Sequence, residues 1–285
     1  MRLDDAYAAC RRVNARTGRT FYLATLLLPP AKRRYVHALY AFARCADELV
    51  DAAGVADRAA RLDAWSRTRG GDSPVGVAFR DTVARWGIAE ADVDAFLASM
   101  AMDLTVTSYA TYDDLLSYVH GSAAVVGRWT VPVLGPLDEG AYAYAEDLGV
   151  GFQLANFVRD VGEDLRRGRV YLPGEDLAAF GLTRRDLATG VVDGRVRRLL
   201  AFEVARAREV LRSAEPGIRL LHPTSRDCVR TALVLYGGIL DAVERADYRV
   251  LDRRVSVGIG RRAVVAGGGL VRAGFARRAA ARQPL

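Results

Sequence analysis

Apolar side chains recur at intervals of three and four in nearly every long window of the chain, the period of a helix with one face turned inward, and no window alternates as a half-buried strand does. Alanine, leucine and arginine fill most segments, and all three favour helix. The pattern predicts an all-α protein. Breaks fall at Pro29-Pro30, at the RGGDSP run of 69–74, at Gly135-Pro136, at Pro173-Gly174, at Pro216-Gly217 and at Pro223. At each, a missing proline N–H or a freely rotating glycine ends the helical run. None of these breaks is a long polar linker and no solenoid-length period repeats, so residues 1–285 are expected to form a single domain.

Two windows put acids where an ordinary amphipathic helix has no need of them. In RCADELVDAAG (44–54), Arg44, Asp47, Glu48 and Asp51 share one face while Phe42, Ala46, Leu49 and Val50 cover the other. Alone, this reads as a solvated face. The second window, GFQLANFVRDVGEDLRRGRVYLP (151–173), repeats the spacing: Gln153, Asn156, Asp160, Glu163 and Asp164 lie on one face, with Leu154, Val158, Val161 and Leu165 largely opposite. Gly168 suits the left-handed position past a helix end and Pro173 prevents continuation, so these acids occupy the last turns. There the negative end of the helix dipole makes carboxylates less comfortable still.

Two Asp-x-x-x-Asp rows facing each other across a bundle would repel unless cations stood between them. Mg²⁺ prefers oxygen ligands, keeps several waters and is commonly shared between one or two carboxylates and phosphate oxygens. Asp47, Asp51, Asp160 and Asp164 therefore suit a small cluster of two or three Mg²⁺ ions whose open positions accept a diphosphate, with Arg44 and Arg159 neutralising the remaining charge. The chemistry implied is ionisation of an allylic diphosphate. Metals and arginines would stabilise the leaving group while the hydrocarbon becomes a carbocation in a dry pocket between helices.

At 285 residues and 51% hydrophobic, the chain can bury a substantial core. No stretch is long and apolar enough to span a bilayer and the N-terminus has no apolar signal core, so a cytoplasmic protein is expected. Cys10, Cys45 and Cys228 are scattered and read as buried hydrophobes. The net charge of +7 favours an anionic partner. Much of the excess lies in the basic tail, about 260–285, whose three consecutive glycines argue against a continuous helix; a solvated tail is the main expectation, peripheral membrane contact the alternative. No nucleic-acid reading motif is present.

The segments TFYLATLLLPPAKRRYVHALYAFARCADELVD (20–51), MAMDLTVTSYATYDDLLSYVHGSAAVVG (100–127), QLANFVRDVGEDLRRGRVYLP (153–173) and TALVLYGGILDAVERADYRVLDRRV (231–255) resemble, in order, the squalene/phytoene synthase family, closest to its bacterial phytoene-forming members. The resemblance implies an isoprenoid-synthase helical bundle with a central cavity. It implies Mg²⁺ on Asp47, Asp51, Asp160 and Asp164, with Asn156 as a further oxygen donor or supporting partner. Arg19, Arg44, Arg159 and Arg253 would hold diphosphate with Tyr236. Gln153, Tyr118 and Tyr171 would border the cavity, Tyr118 counting among the catalytic residues. The family reaction joins two identical prenyl diphosphates head to head through a cyclopropyl intermediate, with released pyrophosphate a plausible proton acceptor; His37, His120 and His222 read as structural. Squalene-forming members add NADPH, and none is expected here.

The pattern departs from the family at Arg128-Trp129-Thr130, where uncharged residues usually line the hydrocarbon channel, and in smaller ways at Ala155 and Ser108. An inward Trp129 would shorten the tunnel and an inward Arg128 would need an anionic partner; the alternative is that Arg128 faces outward and Trp129 packs between helices. A tunnel of that kind would suit a flat acceptor. Two acceptors therefore stay open: a second prenyl diphosphate, giving phytoene from two C20 units, or an aromatic ring of indole or carbazole type in secondary metabolism. Donor chain length is not fixed by the sequence.

Overall fold

The computed structural model describes residues 1–51 and 57–280, so Ala52, Ala53 and Gly54 of the first acidic window and the last five residues of the basic tail lie outside it. Fourteen α-helices follow one another: α1 (Leu3–Thr17), α2 (Arg19–Thr25), α3 (Pro30–Asp51), α4 (Arg58–Thr68), α5 (Pro74–Trp86), α6 (Glu90–Met102), α7 (Tyr112–Val119), α8 (Val125–Leu134), α9 (Ala141–Arg166), α10 (Gly174–Ala179), α11 (Arg184–Ala188), α12 (Gly194–Ala214), α13 (Pro223–Arg245) and α14 (Ile259–Ala280). A π-helical turn over His120–Ala124 joins α7 to α8, and a 3₁₀ turn over Glu215–Leu220 follows α12. Among the described residues the only extended pairings are single bridges, Ser108 with Val170 and Pro136 with Leu221.

The breaks read from the sequence are helix boundaries with identifiable caps. Ser73 accepts from the Gly76 amide ahead of Pro74, Thr111 and Asp114 form a reciprocal capping box on α7, and Asp193 accepts from the amides of Arg195 and Val196. Pro30 and Pro223 open α3 and α13, where a missing N–H costs nothing. Gly135 closes α8 at φ +79°.

Two apolar clusters form the interior. One joins α1, α3, α5, α6 and α8 around Phe42, Phe79, Phe96 and Trp129; the other joins α7, α9, α12 and α13 around Val158, Leu199 and Leu240. The two halves meet where α8 and the π turn cross α9. The crossing depends on absent side chains: a Cβ on Gly127 would stand 2.1 Å from the Ala145 carbonyl oxygen, and one on Gly149 would stand 2.4 Å from that of Ala123.

The tail departs from expectation. Residues 259–280 form one continuous helix straight through Gly267-Gly268-Gly269. Each glycine costs about 1 kcal/mol of helix propensity, but the approach to the body of the protein requires one of them. A Cβ on Gly269 would lie 2.4 Å from Leu27 Cδ2 and 2.7 Å from Thr231 Oγ1. Arg277 then donates to the Leu27 and Leu28 carbonyls at 2.5 and 3.2 Å, fixing the far end. No helix of the described residues is long and apolar enough to cross a membrane.

Gly149→Val should overpack the α8/α9 crossing against backbone that cannot yield, at a cost of about 3 kcal/mol or more. Thermal unfolding should then shift down by about 5 °C or more; an unchanged midpoint would mean the crossing is not tight.

Candidate active site

Between the two apolar clusters lies a cavity of about 470 Å³. Its lining changes character along the helices. On α3 it passes from Val36 and Leu39 through Tyr40, Ala43 and Arg44 to Asp47 and Asp51; on α9 it passes from Ala141, Ala145 and Leu148 through Phe152 and Asn156 to Asp160 and Asp164. Both acidic rows thus stand at the C-terminal ends of helices that border the same space. The result is an apolar chamber with a charged mouth. The π turn contributes Ser122 and Ala123 to the wall, and α13 contributes Cys228, Val229, Ala232 and Tyr236.

At the mouth the carboxylates are laced to arginines. Asp47 accepts from Arg44 Nη1 at 2.6 Å. Asp51 is gripped from across the cavity by Arg167 Nη1 at 2.9 Å and Arg169 Nη1 at 2.7 Å, which ties the last turn of α3 to the segment following α9. Asp160 accepts from Arg159 Nε at 2.8 Å and Arg254 Nη2 at 3.2 Å, and Glu163 from Arg167 Nη2 at 2.8 Å. Asp164 is buried and has no ion-pair partner among the described residues.

These acids are uncomfortable as anions. Burial, followed by the charge of Asp51, pushes the Asp47 carboxyl up to about 7, and burial followed by Asp160 pushes Asp164 up to about 8. The Asp47 side chain is still 37% accessible, but what it borders is the cavity itself. Among the described residues no three His, Cys, Asp or Glu side chains already form a closed metal cage. What is present is an all-oxygen donor set on two opposed helices in which added positive charge relieves existing strain. Such a set fits hard divalent cations that share their coordination with a phosphorylated ligand.

One wall of the mouth is aromatic. Phe157 stacks on Tyr171 at 4.2 Å between centroids, and Tyr118 lies 5.6 Å from Tyr171. The hydroxyls of Tyr118 and Tyr171 donate to the two oxygens of buried Asp103 at 2.7 and 2.8 Å, and Arg169 Nη2 donates to the Asp103 carbonyl at 3.2 Å. Burial raises the Asp103 carboxyl and holds both tyrosines protonated well above their usual range. Tyr236, stacked on Phe152 at 3.9 Å, has its hydroxyl within hydrogen-bonding reach of Asn156, and Gln153 lines the same wall.

Of the residues singled out in the sequence, Asp47, Asp51, Asp160, Asp164, Arg44, Arg159, Gln153, Asn156, Tyr118, Tyr171 and Tyr236 all border this cavity. Four do not. Arg19 opens α2 on the exposed surface, and the bend over 251–253 leaves Arg253 exposed while its neighbour Arg254 reaches Asp160. Arg128 turns outward to Asp92 at 3.2 Å and Glu146 at 2.5 Å. Trp129 is 1% exposed and packs edge-on against Phe96 at 5.2 Å, behind the wall that α8 builds from Val126, Gly127, Thr130 and Leu134. The helical period brings the residues on either side of this pair to the cavity and turns the pair itself away. Sequence reasoning missed Asp103, Arg167, Arg169 and Arg254, although all four stand in or beside the quoted segments. The histidines lie outside the cavity lining: His37 is bonded to Asn14 and held down at about 4 by burial, His120 sits in the π turn, and His222 accepts from the Thr224 amide.

Residues 14–261 match the family model for squalene/phytoene synthase. The chain is 40% identical over 276 residues to a 15-cis-phytoene synthase of Synechococcus elongatus, covering 90% of this chain and 89% of the relative. It is 41% identical over 275 residues to that of a Synechocystis species, covering 90% and 81%. Among solved structures it resembles a dehydrosqualene synthase in complex with a ligand, at TM-score 0.85 and 26% identity over 94% of this chain and 96% of the other. A squalene synthase from Alicyclobacillus acidocaldarius aligns at TM-score 0.77 and 27% identity, over 86% and 95%.

Two outcomes follow. Trp129→Ala should cost about 3–5 kcal/mol in unfolding free energy, as for a large core truncation, while leaving product chain length as in the parent; a lengthened product by mass spectrometry would put the ring back in the tunnel wall. For Asp47, a folded value above the ordinary carboxylate value of about 4 means the native state binds the extra proton, so stability is lost as pH rises toward about 7. In metal-free protein, Asp47→Asn should match the parent in melting temperature near pH 5 and exceed it near pH 8.5. A parent that stays the more stable at both would sink the repulsion.

Proposed function

The chain belongs to the squalene/phytoene synthase family, and from that premise we propose that it condenses two molecules of geranylgeranyl diphosphate head to head into phytoene, releasing both diphosphates. The observation that carries this reading is identity of about 40% with phytoene synthases over nine-tenths of the chain, on a cavity whose depth is apolar and whose mouth is charged.

Asp47, Asp51, Asp160 and Asp164, with Asn156 as a further oxygen donor, are the residues that would hold Mg²⁺, which supplies Lewis-acid stabilisation of the departing diphosphate. Arg44, Arg159, Arg167, Arg169 and Arg254 now rest on carboxylates at hydrogen-bonding distance. Each can exchange a carboxylate for a phosphate oxygen, so the mouth accepts an anion without stranding a buried charge. Below it, the apolar lining excludes water from the allylic cation, and the mutually stacked rings of Tyr118, Phe157 and Tyr171 form part of the wall that borders it. The Asp103 bridge fixes the orientation of two of those rings, each hydroxyl donating to one carboxylate oxygen. Coupling proceeds with loss of two diphosphates and two protons. Its balance therefore requires no reductant such as NADPH, and departing pyrophosphate serves as the proton acceptor in a site without a lining histidine.

The aromatic-acceptor reading rested on a tryptophan wall. Trp129 packs outside the cavity, and nothing else in the lining favours a flat acceptor over a second prenyl chain.

Purified protein given Mg²⁺ and geranylgeranyl diphosphate alone should yield a C40 hydrocarbon on extraction and mass analysis. Asp51→Asn and Asp160→Asn should each lower turnover by about a thousandfold with thermal unfolding retained. Donor consumed only after an indole-type acceptor is added would overturn the proposal, as would a strong preference for farnesyl diphosphate.

A further inference from the structure

A buried ionic cluster stands outside the cavity. Helix α10 brings Glu175 and Asp176 in its first turn, and α12 brings Glu203 and Arg206 one turn apart. Asp176 is 8% exposed and Glu203 4%. Arg206 holds both acids: Nη1 and Nη2 donate to the two Asp176 oxygens at 2.7 and 3.2 Å, and Nη1 also donates to Glu203 Oε2 at 3.0 Å. The rings of Tyr112 and Phe202 cover the guanidinium, with centroids 4.2 and 4.6 Å from its carbon. None of these side chains lines the cavity.

The charges of the cluster do not balance. One guanidinium faces two buried carboxylates, which leaves a negative excess where water cannot screen it. No further cation pairs with either acid among the described residues. The neighbouring groups bring no relief: Glu175 is turned to the Tyr112 amide at 2.7 Å, Asp113 follows Tyr112 on α7, and burial keeps the Tyr112 hydroxyl protonated. Glu203 Oε1 is buried and has no donor among the described residues. The Glu203 and Asp176 carboxyl groups lie within hydrogen-bonding reach of each other, an arrangement that bonds only when one of them carries a proton. Burial raises the Glu203 carboxyl, and Asp176 raises it further against the pull of Arg206.

What the cluster holds bears on the mouth of the cavity. Helix α10 has six residues, too few to persist without tethers. It follows directly on the segment that sends Arg169 to Asp51 at 2.7 Å and Tyr171 to Asp103 at 2.8 Å. On one side the start of α10 is tied to the approach to α7, where the amides of Gly174 and Glu175 donate to the carbonyls of Tyr109 and Ala110, each at 2.9 Å. On the other side Arg206 ties it to α12.

We propose that Asp176 and Glu203 share one proton over Arg206, and that this triad positions Arg169 and Tyr171 until the proton leaves. Glu203 is then a positioning residue that acts through α10. Without the proton, the second carboxylate is an unmatched anion in a dry site; one acid turns toward water, α10 loosens, and the grip on Asp51 and Asp103 slackens with it. The proposal rests on the reading of Arg169 and Tyr171 as part of a diphosphate-binding mouth.

The test compares the parent chain with Glu203→Gln, which keeps the shape and lacks the charge. With Mg²⁺ and geranylgeranyl diphosphate, kcat/KM of the parent should fall by about tenfold per pH unit on its alkaline side, whereas Glu203→Gln should match the parent near neutral pH and stay within about twofold of that value over the same range. Hydrogen exchange of the peptide spanning 169–179, corrected for the exchange of free amides, should show protection falling by about tenfold in the parent across that range and holding in Glu203→Gln. An alkaline decline identical in both proteins overturns the proposal, as does corrected protection that does not change with pH in the parent. A chain that consumes no prenyl diphosphate at any pH sinks the proposed activity instead, and the exchange measurement still decides the triad.

Discussion

Everything at the functional end of this molecule follows from carboxylates set opposite one another at the edge of a water-poor chamber. Left alone, they would repel across a medium that screens poorly and would take up protons or push their helices apart. The protein answers with guanidinium groups supplied by neighbouring turns and by segments beyond the helix ends, Arg44 beside Asp47 and Arg167 with Arg169 across to Asp51. That answer is partial: Asp47 and Asp164 remain raised by burial and by their acidic neighbours. A site so balanced prefers additional cations and a ligand that brings negative oxygen to the arginines, and this preference links the fold to diphosphate chemistry.

The scaffold that holds the rows in place is governed by close backbone approach. Gly127 and Gly149 let α8 and the π turn lie directly on α9, and the cavity occupies the room left beside that crossing. Bulk enters only behind the wall, where Phe42, Phe79, Phe96 and Trp129 interlock. The tryptophan that interrupts the family pattern therefore strengthens the support of the chamber without entering it.

Much of this was legible in the chain. Helical period and the proline and glycine breaks set the architecture, because they act within a few residues, and the acidic rows were visible because both members of each row share one helix. What escaped the sequence depends on reach across the fold. Arg254 meets Asp160 only because a bend turns it there while Arg253 faces out, and Asp103 acquires its role from two tyrosines on separate elements. The glycines of α14 misled for the same reason: propensity is a local quantity, whereas the contact of Gly269 with Leu27 is decided by how distant parts of the chain pack.

The division of the cavity into an ionic rim and a hydrocarbon interior means that its two halves answer to different solvent variables. Added electrolyte weakens the guanidinium–carboxylate lattice within a distance of about 10 Å or less but leaves the dispersion contacts of Leu39, Leu148 and Val229 nearly untouched. Ionic strength thus acts on how fast a donor is captured and opened, while the length of chain that fits stays the same. Rate and product identity are in this way separable properties of one enclosure.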